Sequence, residues 1–80
     1  MIIYNLRPGR IAPEQADYVH VSHLVDGGCA WVGCVGPNGH RIDGKNRKPL
    51  LTASDATSDA IRWATVHHTT ELYIETDDDT

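Results

Sequence analysis

The segment that most constrains the fold is residues 55–68, the one stretch of the chain whose apolar side chains recur at helical spacing. The members of this stripe are Ala56, Ala60, Trp63, Ala64 and His67, with Ile61 on its flank. Ser54 precedes the stripe as the expected N-cap, and Asp55 complements the positive end of the helix dipole. A helix with one apolar stripe needs a second layer to cover it, and the remaining sequence has to supply that layer.

The rest of the chain reads as strands separated by turns. The predicted strands are residues 2–6, 18–25, 29–35, 40–43 and 71–76, with residues 50–52 as a candidate extension of the sheet. The second strand has two predicted faces. One face carries Val19, Val21, His23 and Val25, and the other carries Tyr18, His20, Ser22 and Leu24. In the last strand, Leu72 and Ile74 point inward and Glu71, Tyr73 and Glu75 point outward. Turns are predicted at Gly27-Gly28 and at Asn38-Gly39.

The predicted order of elements is β-β-β-β-α-β, which indicates an α+β fold: a mostly antiparallel sheet of four to five strands with one helix packed on one face. Eighty residues fit a single small domain, residues 1–80. Its last residues, 77–80, are expected to form an acidic, flexible tail. Because a domain of this size is only modestly stable alone, self-association, a homodimer included, or partner binding is expected.

Several classes of protein are excluded by what the sequence lacks. It has no secretory leader and no apolar run near the ~20 residues of a membrane span, so we expect a soluble protein in the cytoplasm of its producer or host. Cys29 and Cys34 are expected to be reduced, with Cys34 in the core. A zinc site with His20 and His23 is not favoured, because those side chains would point to opposite faces of a strand. His23 is expected to be partly buried, and His40, His67 and His68 exposed.

Charge is divided unevenly along the chain. Residues 1–48 contain six Lys or Arg and four Asp or Glu, or about +2. Residues 49–80 contain one Arg and seven Asp or Glu, or about −6. The chain therefore has a basic loop and an acidic end, although both features are also typical of solvated surface.

The basic loop offers one functional hypothesis, a nucleic-acid-binding module. Its cationic residues are Arg41, Lys45, Arg47 and Lys48. Trp31 or Tyr73 would supply a face on which a base could stack. No glycine-rich phosphate loop precedes the helix, so a nucleotide site of that kind is not predicted.

The acidic end offers the favoured hypothesis, a non-enzymatic interaction domain. Its candidate binding residues are Glu71, Glu75, Asp77, Asp78 and Asp79. Such an acidic edge would attract a basic protein or nucleoprotein by electrostatic steering and by imitating the phosphates of a nucleic acid. In size and charge the chain resembles phage or mobile-element inhibitors of host defence complexes of the anti-CRISPR type, and this resemblance implies a positively charged partner.

Three aspartates suggest an alternative, enzymatic function. Asp26 follows a strand, Asp59 lies early in the helix and Asp77 ends the last strand. With the intervening hairpin, this order resembles the N-terminal half of a ribonuclease H-like fold over residues 17–78. The resemblance implies that the three carboxylates gather around Mg²⁺ or Mn²⁺ to hydrolyse a phosphodiester. The structural alternatives are Asp26 as a turn former, Asp59 as a solvent-facing residue of the first helical turn, and Asp77 as the start of the tail.

Overall fold

The fold is α+β, as predicted: a five-stranded sheet with one helix packed on it. The computed structural model describes residues 1–7, 9–36 and 40–77, so the predicted turn at Asn38-Gly39 lies outside the described residues. The elements follow the predicted order. They are β1 (Ile2–Leu6), β2 (Tyr18–His23), β3 (Cys29–Val35), β4 (Ile42–Lys45), α1 (Ala53–Val66) and β5 (Glu71–Thr76).

The sheet is mixed, with strand order β1-β5-β2-β3-β4. The strands β2, β3 and β4 form an antiparallel meander. By contrast, β5 enters between β1 and β2 and runs parallel to both of them. The last strand of the chain is therefore an interior strand, while β1 and β4 form the two edges.

Two crossover connections explain why the faces of the sheet differ. The connection from β4 to β5 passes through α1, whereas the connection from β1 to β2 crosses the sheet in the opposite direction. Because parallel crossovers are strongly right-handed, two that run in opposite directions must lie on opposite faces. Accordingly, α1 packs against one face, and the backbone N–H of Gly9 in the other connection bonds to Glu75 on the opposite face. We call these the helix face and the open face.

The core lies between α1 and the helix face. Small residues bring the helix close to the sheet, since Ala56, Ala60 and Ala64 are fully buried along one line of α1. They meet a larger set of buried strand residues, which comprises Val19, Val21, Cys29, Trp31, Val35, Leu72 and Ile74. The predicted helical stripe and the inward orientation of Leu72 and Ile74 are confirmed.

Trp63 fills a slot that two glycines create. Gly33 and Gly44 are paired across β3 and β4, and neither has a side chain to occupy the helix face. The Trp63 ring lies over this pair and contacts Trp31, with ring centroids 4.9 Å apart. Gly33 thus allows the ring to approach the sheet closely, since a Cβ at this residue would lie 3.3 Å from Cζ3 of Trp63.

The predicted bounds of three elements were wrong. β2 ends at His23 rather than at residue 25, because Leu24 already bonds across the turn to Gly28 (3.0 Å). β4 spans Ile42–Lys45 rather than residues 40–43, because Ile42 pairs with Val35. α1 begins at Ala53 and ends at Val66, and Thr52, not Ser54, is its N-cap, accepting from the Asp55 N–H at 3.1 Å. Of the candidate extension at residues 50–52, Leu50 forms a single bridge with Cys29.

The glycine slot generates a prediction about packing. A Cβ at residue 44 would lie 2.5 Å from Cζ2 and 2.7 Å from Nε1 of Trp63. We expect Gly44→Ala to lower the free energy of unfolding by about 1–3 kcal/mol, because the ring has to leave its slot. Urea unfolding measures this difference.

The control is the same substitution in a Trp63→Leu background. Leucine vacates the part of the slot that the new methyl group would occupy, so the alanine should then cost less than half as much. Equal costs in the two backgrounds would show that the Trp63 ring is not what excludes a side chain at residue 44.

Candidate functional site on the open face

The open face carries a row of acidic side chains along its middle strand. Glu71 and Glu75 alternate with the buried Leu72 and Ile74 of β5, so both project from the open face, and Asp77 continues the same alternation. Neighbouring residues on one face of a strand are about 6.6 Å apart. We call Glu71, Glu75 and Asp77 the acidic row. The sequence predicted an acidic edge, but β5 is interior, so the row lies inside the sheet.

Glu75 is held by two donors from different parts of the chain. Its Oε2 accepts from the Gly9 N–H at 2.9 Å, and its Oε1 accepts from the Tyr18 hydroxyl at 2.8 Å. The Gly9 and Tyr18 hydrogen bonds hold the pKa of Glu75 below its ordinary value. Burial, followed by the bond to Glu75, raises the pKa of Tyr18 to about 12. The carboxylate is therefore ionised and fixed in orientation at neutral pH.

Asp77 follows β5 and is hydrogen-bonded to the sheet. Its backbone N–H donates to Val21 at 2.9 Å, which extends the pairing of β5 with β2. Its Oδ1 lies 2.5 Å from Nε2 of His20, a half-buried residue on the open face of β2. The tail expected at residues 77–80 stays a prediction, because residues 78–80, including Asp78 and Asp79, lie outside the described residues.

Two stacked tyrosines occupy the open face beside Glu71. The rings of Tyr4 and Tyr73 lie nearly parallel, with centroids 4.7 Å apart and an interplanar angle of 17°. The Tyr4 hydroxyl donates to Oε1 of Glu71 at 3.3 Å. The negative charge of Glu71 raises the pKa of Tyr4. Carboxylates and aromatic rings therefore alternate on one surface.

A cleft of about 450 Å³ adjoins the row where residues 9–16 cross the sheet. Tyr18, Cys34, Arg41 and Glu75 line its floor, and Ile11 and Pro13 contribute apolar surface. Arg41 donates to the Ala16 carbonyl and to Sγ of Cys34, so its guanidinium tethers this connection to the sheet. That role was not predicted from the sequence, because Arg41 and Ala16 are 25 residues apart.

The remaining residues of the basic loop, Lys45, Arg47 and Lys48, are exposed at the β4 edge. Asn46 anchors this loop by accepting from the Trp31 backbone N–H at 2.8 Å and donating to the Lys48 carbonyl. Trp31 itself is 3% exposed, so the expectation that it offers a stacking face is wrong. Tyr73 is half-buried in the stack with Tyr4.

The three aspartates that would form a nuclease centre are not brought together. Asp26 lies in the exposed turn after β2. Asp59 is on α1, where its Oδ2 accepts from Nε1 of Trp31 at 2.8 Å. It is therefore half-buried, and the expectation that it faces solvent was wrong. Asp77 projects from the opposite face of the sheet. Across residues 1–7, 9–36 and 40–77, no group of three or more His, Cys, Asp and Glu side chains could hold a metal ion.

The histidines and cysteines are divided between the two faces. Cys29 is buried on the helix face, with Sγ 3.4 Å from Nδ1 of His23, whereas Cys34 lies half-buried on the open face. Both cysteines are free. The expected positions of Cys34 in the core, of His23 as partly buried and of His67 as exposed were wrong. His67 is half-buried against the Trp63 ring, while His40 and His68 are exposed as expected.

Comparison of the chain with protein-family models, with curated proteins and with solved structures found no match. In the part of the chain that the structure describes, no helix has the length and apolar character needed to cross a bilayer.

Asp59 provides a test of a structural role against a catalytic one. Asp59→Ala leaves the buried Trp31 indole N–H without its acceptor, and we expect the free energy of unfolding to fall by about 1–3 kcal/mol. Asp59→Asn retains an acceptor oxygen at the same place, so its loss should be clearly smaller. Denaturant unfolding of both variants measures the difference, and equal losses would contradict the hydrogen bond as its cause.

The Tyr18–Glu75 bond generates a prediction about acid stability. Because the folded-state pKa of Glu75 is lowered, its contribution is complete above the ordinary value of 4.5 and is lost as the pH falls through the folded-state value. We expect Tyr18→Phe to raise the pKa of Glu75 toward, but not to, that ordinary value, since the Gly9 bond remains. Carboxyl ¹³C NMR titration measures the change.

The control is Tyr73→Phe, which removes a hydroxyl from the same face without removing a donor to Glu75. This variant should leave the Glu75 titration within about 0.2 pH units of wild type, well under the shift expected for loss of a hydrogen bond to a charged group. A similar shift in both variants would assign the effect to the face as a whole.

Proposed function

We propose that the chain is a non-enzymatic binding module whose open face recognises a positively charged protein surface. The observation that carries the proposal is the acidic row, which lies on the face that α1 leaves uncovered and is oriented by donors from β1, β2 and residue 9. The predicted partner residues Glu71, Glu75 and Asp77 therefore share one surface. Asp78 and Asp79, the other predicted partner residues, lie outside the described residues.

The fixed orientation of the row favours binding. A carboxylate oxygen has two lone pairs, so Glu75 can accept from Tyr18 and Gly9 and still accept from an incoming guanidinium. A side chain that is already immobilised loses less conformational entropy when a partner arrives. Bonds within the face thus prepare the carboxylates for a cation without consuming all of their acceptor capacity.

The tyrosine stack favours arginine over lysine as the contacting residue. A guanidinium can pair with a carboxylate in two hydrogen bonds and can lie flat against an aromatic ring, whereas an ammonium is a compact, strongly hydrated charge. The stack of Tyr4 on Tyr73 lies directly beside Glu71. An arginine-rich segment would therefore meet a carboxylate and an aromatic ring on the neighbouring strands β1 and β5.

The charge distribution points to the class of partner. The chain carries a formal net charge of −4, and its acidic excess is concentrated in the second half of the sequence. A line of carboxylates steers basic surfaces toward it and competes with nucleic-acid phosphates for the same arginines. These features support the proposal that the chain acts as a small acidic inhibitor of nucleoproteins, of the kind that phages and mobile elements direct against host defence complexes.

We extend the likeness to a ribonuclease H-like fold only to the arrangement of strands and helix, and not to its metal-dependent chemistry. Three antiparallel strands, a helix and a strand parallel to the first, the order that this likeness implies, correspond to β2, β3, β4, α1 and β5. The separation of Asp26, Asp59 and Asp77 gives no support to the metal-dependent chemistry. If the architecture is shared, its use without that chemistry would fit the proposed binding role of the open face.

The proposed function is tested with an arginine nonapeptide as the probe. We expect the peptide to shift amide signals of β5, β2 and β1. Glu71→Gln and Asp77→Asn should each weaken binding about 1.5–5-fold, the range of a surface charge pair. A lysine nonapeptide should bind less tightly. The affinity should fall as the ionic strength rises, because the contacts are solvent-exposed.

The matched control is Asp55→Asn, which removes the same charge from the first turn of α1 on the other side of the sheet. Its effect on peptide affinity should be small. If Asp55→Asn and Asp77→Asn weaken binding equally, the attraction depends on net charge only and the open face is not a specific site.

A further inference from the structure

The two edges of the sheet differ in how well they are protected from pairing. β4 is four residues long and carries the exposed charges of Asp43 and Lys45, features that discourage another strand from adding to an edge. β1 has five residues, Ile-Ile-Tyr-Asn-Leu, with no charge and no proline. Its neighbour Met1 and its residues Ile2 and Tyr4 are 48%, 55% and 38% exposed. The β1 edge is therefore open to pairing.

The backbone groups on this edge can be assigned from the pairing with β5. The Ile2 N–H donates to the Thr70 carbonyl at 2.9 Å, so the backbone of Ile2, and by alternation that of Tyr4 and Leu6, faces β5. The N–H and C=O groups of Ile3 and Asn5 consequently point away from the sheet. A strand that docks here would meet two donors and two acceptors.

We propose that this edge pairs with β1 of a second copy of the chain, antiparallel and centred on Tyr4. In that register Ile3 of one copy exchanges both backbone bonds with Asn5 of the other, and the symmetry repeats the exchange, giving four hydrogen bonds. Ile2 lies opposite Leu6 of the second copy. The pairing is self-complementary, as a two-fold interface requires.

The sequence of β1 favours a second copy over a charged partner. Because β1 contains no charged residue, a basic or acidic peptide gains no ion pair with this strand. In a second copy, by contrast, Leu6 covers Ile2 and Tyr4 covers Tyr4 of the first copy. The two Tyr4 side chains meet in a non-hydrogen-bonded pair, where side chains approach most closely. Each already stacks on Tyr73, so a row of four tyrosines would cross the interface.

The geometry has a consequence for the binding face. The two-fold axis of an antiparallel edge pair is perpendicular to the sheet, so both open faces point to the same side of a continuous ten-stranded sheet. The two acidic rows then form one surface. Because pairing of a five-residue edge buries less than the roughly 1,200 Å² of a stable interface, the dimer should be weak and concentration-dependent.

Sedimentation velocity between about 10 μM and about 1 mM tests this proposal, in a range suited to a weak interface. We expect the weight-average mass to rise from monomer toward dimer. Asn5→Pro should keep the chain monomeric, because it removes an outward N–H that β5 does not use, and proline is tolerated at such edge positions. Ile2→Lys should weaken association at least about tenfold by placing a charge against Leu6 of the second copy.

The matched control is Val32→Lys, because Val32 is 54% exposed on the open face but lies on the interior strand β3. It should dimerise as the wild type does. A register test uses Tyr4→Cys in a Cys34→Ser background, which should form a disulfide-linked dimer readily, since Cα atoms of a non-hydrogen-bonded pair are about 4.5 Å apart. Asn5→Cys in the same background should not.

Three results would overturn the proposal. A chain that stays monomeric at 1 mM has no such interface. If Val32→Lys abolishes association and Asn5→Pro leaves it intact, the contact lies on the open face and not at the β1 edge. Cross-linking at residue 5 in preference to residue 4 would exclude the register centred on Tyr4. Circular dichroism of each variant establishes that it remains folded.

Discussion

A single helix cannot cover a five-stranded sheet on both sides, and most features of this molecule follow from that limit. The 14 residues of α1 form a rod about 21 Å long and 10 Å wide, which packs across the middle of one face. The other face has to be compatible with water through its own side chains. The resulting open face combines carboxylates, tyrosine hydroxyls and a histidine, and these groups satisfy one another by hydrogen bonding.

The acidic residues show why a charge count gives an incomplete description of a surface. By sequence, Glu71, Glu75 and Asp77 belong to an acidic end of the chain. In the fold, each has a donor from a segment more than 50 residues away: Tyr4 for Glu71, Gly9 and Tyr18 for Glu75, and His20 for Asp77. The same formal charge is thus presented in a fixed order, which is the property that a partner with regularly spaced cations can recognise.

The parts of the fold that local patterns determine could be predicted, and the parts that depend on distant pairing could not. Alternation and helical spacing predicted the order of the elements, the alanine stripe and the inward side of β5. They contain no information on the insertion of β5 between β1 and β2, so the acidic row was expected at an edge. Thr52 and Ser54 are both capable N-caps, and in the fold Thr52 caps the helix two residues after the bridge of Leu50 to Cys29.

The structural roles of Asp59 and Arg41 were missed for a related reason. Asp59 resembled a solvated residue of the first helical turn because its partner, the Trp31 indole, is 28 residues away. A buried indole N–H needs an acceptor, so the presence of two tryptophans could have directed attention to a polar residue on the helix, although not to a particular one. The role of Arg41 in tethering residues 9–16 had no local signal at all.

The division of aromatic residues between the two faces has an optical consequence. Both tryptophans lie between α1 and the sheet, in contact with each other, while the three tyrosines, Tyr4, Tyr18 and Tyr73, all belong to the open face. The chain has no phenylalanine. Indole emission therefore reports on the docking of the helix, and phenol absorbance reports on the open face. One unlabelled molecule carries a separate spectroscopic probe for its interior and for the side that faces a partner.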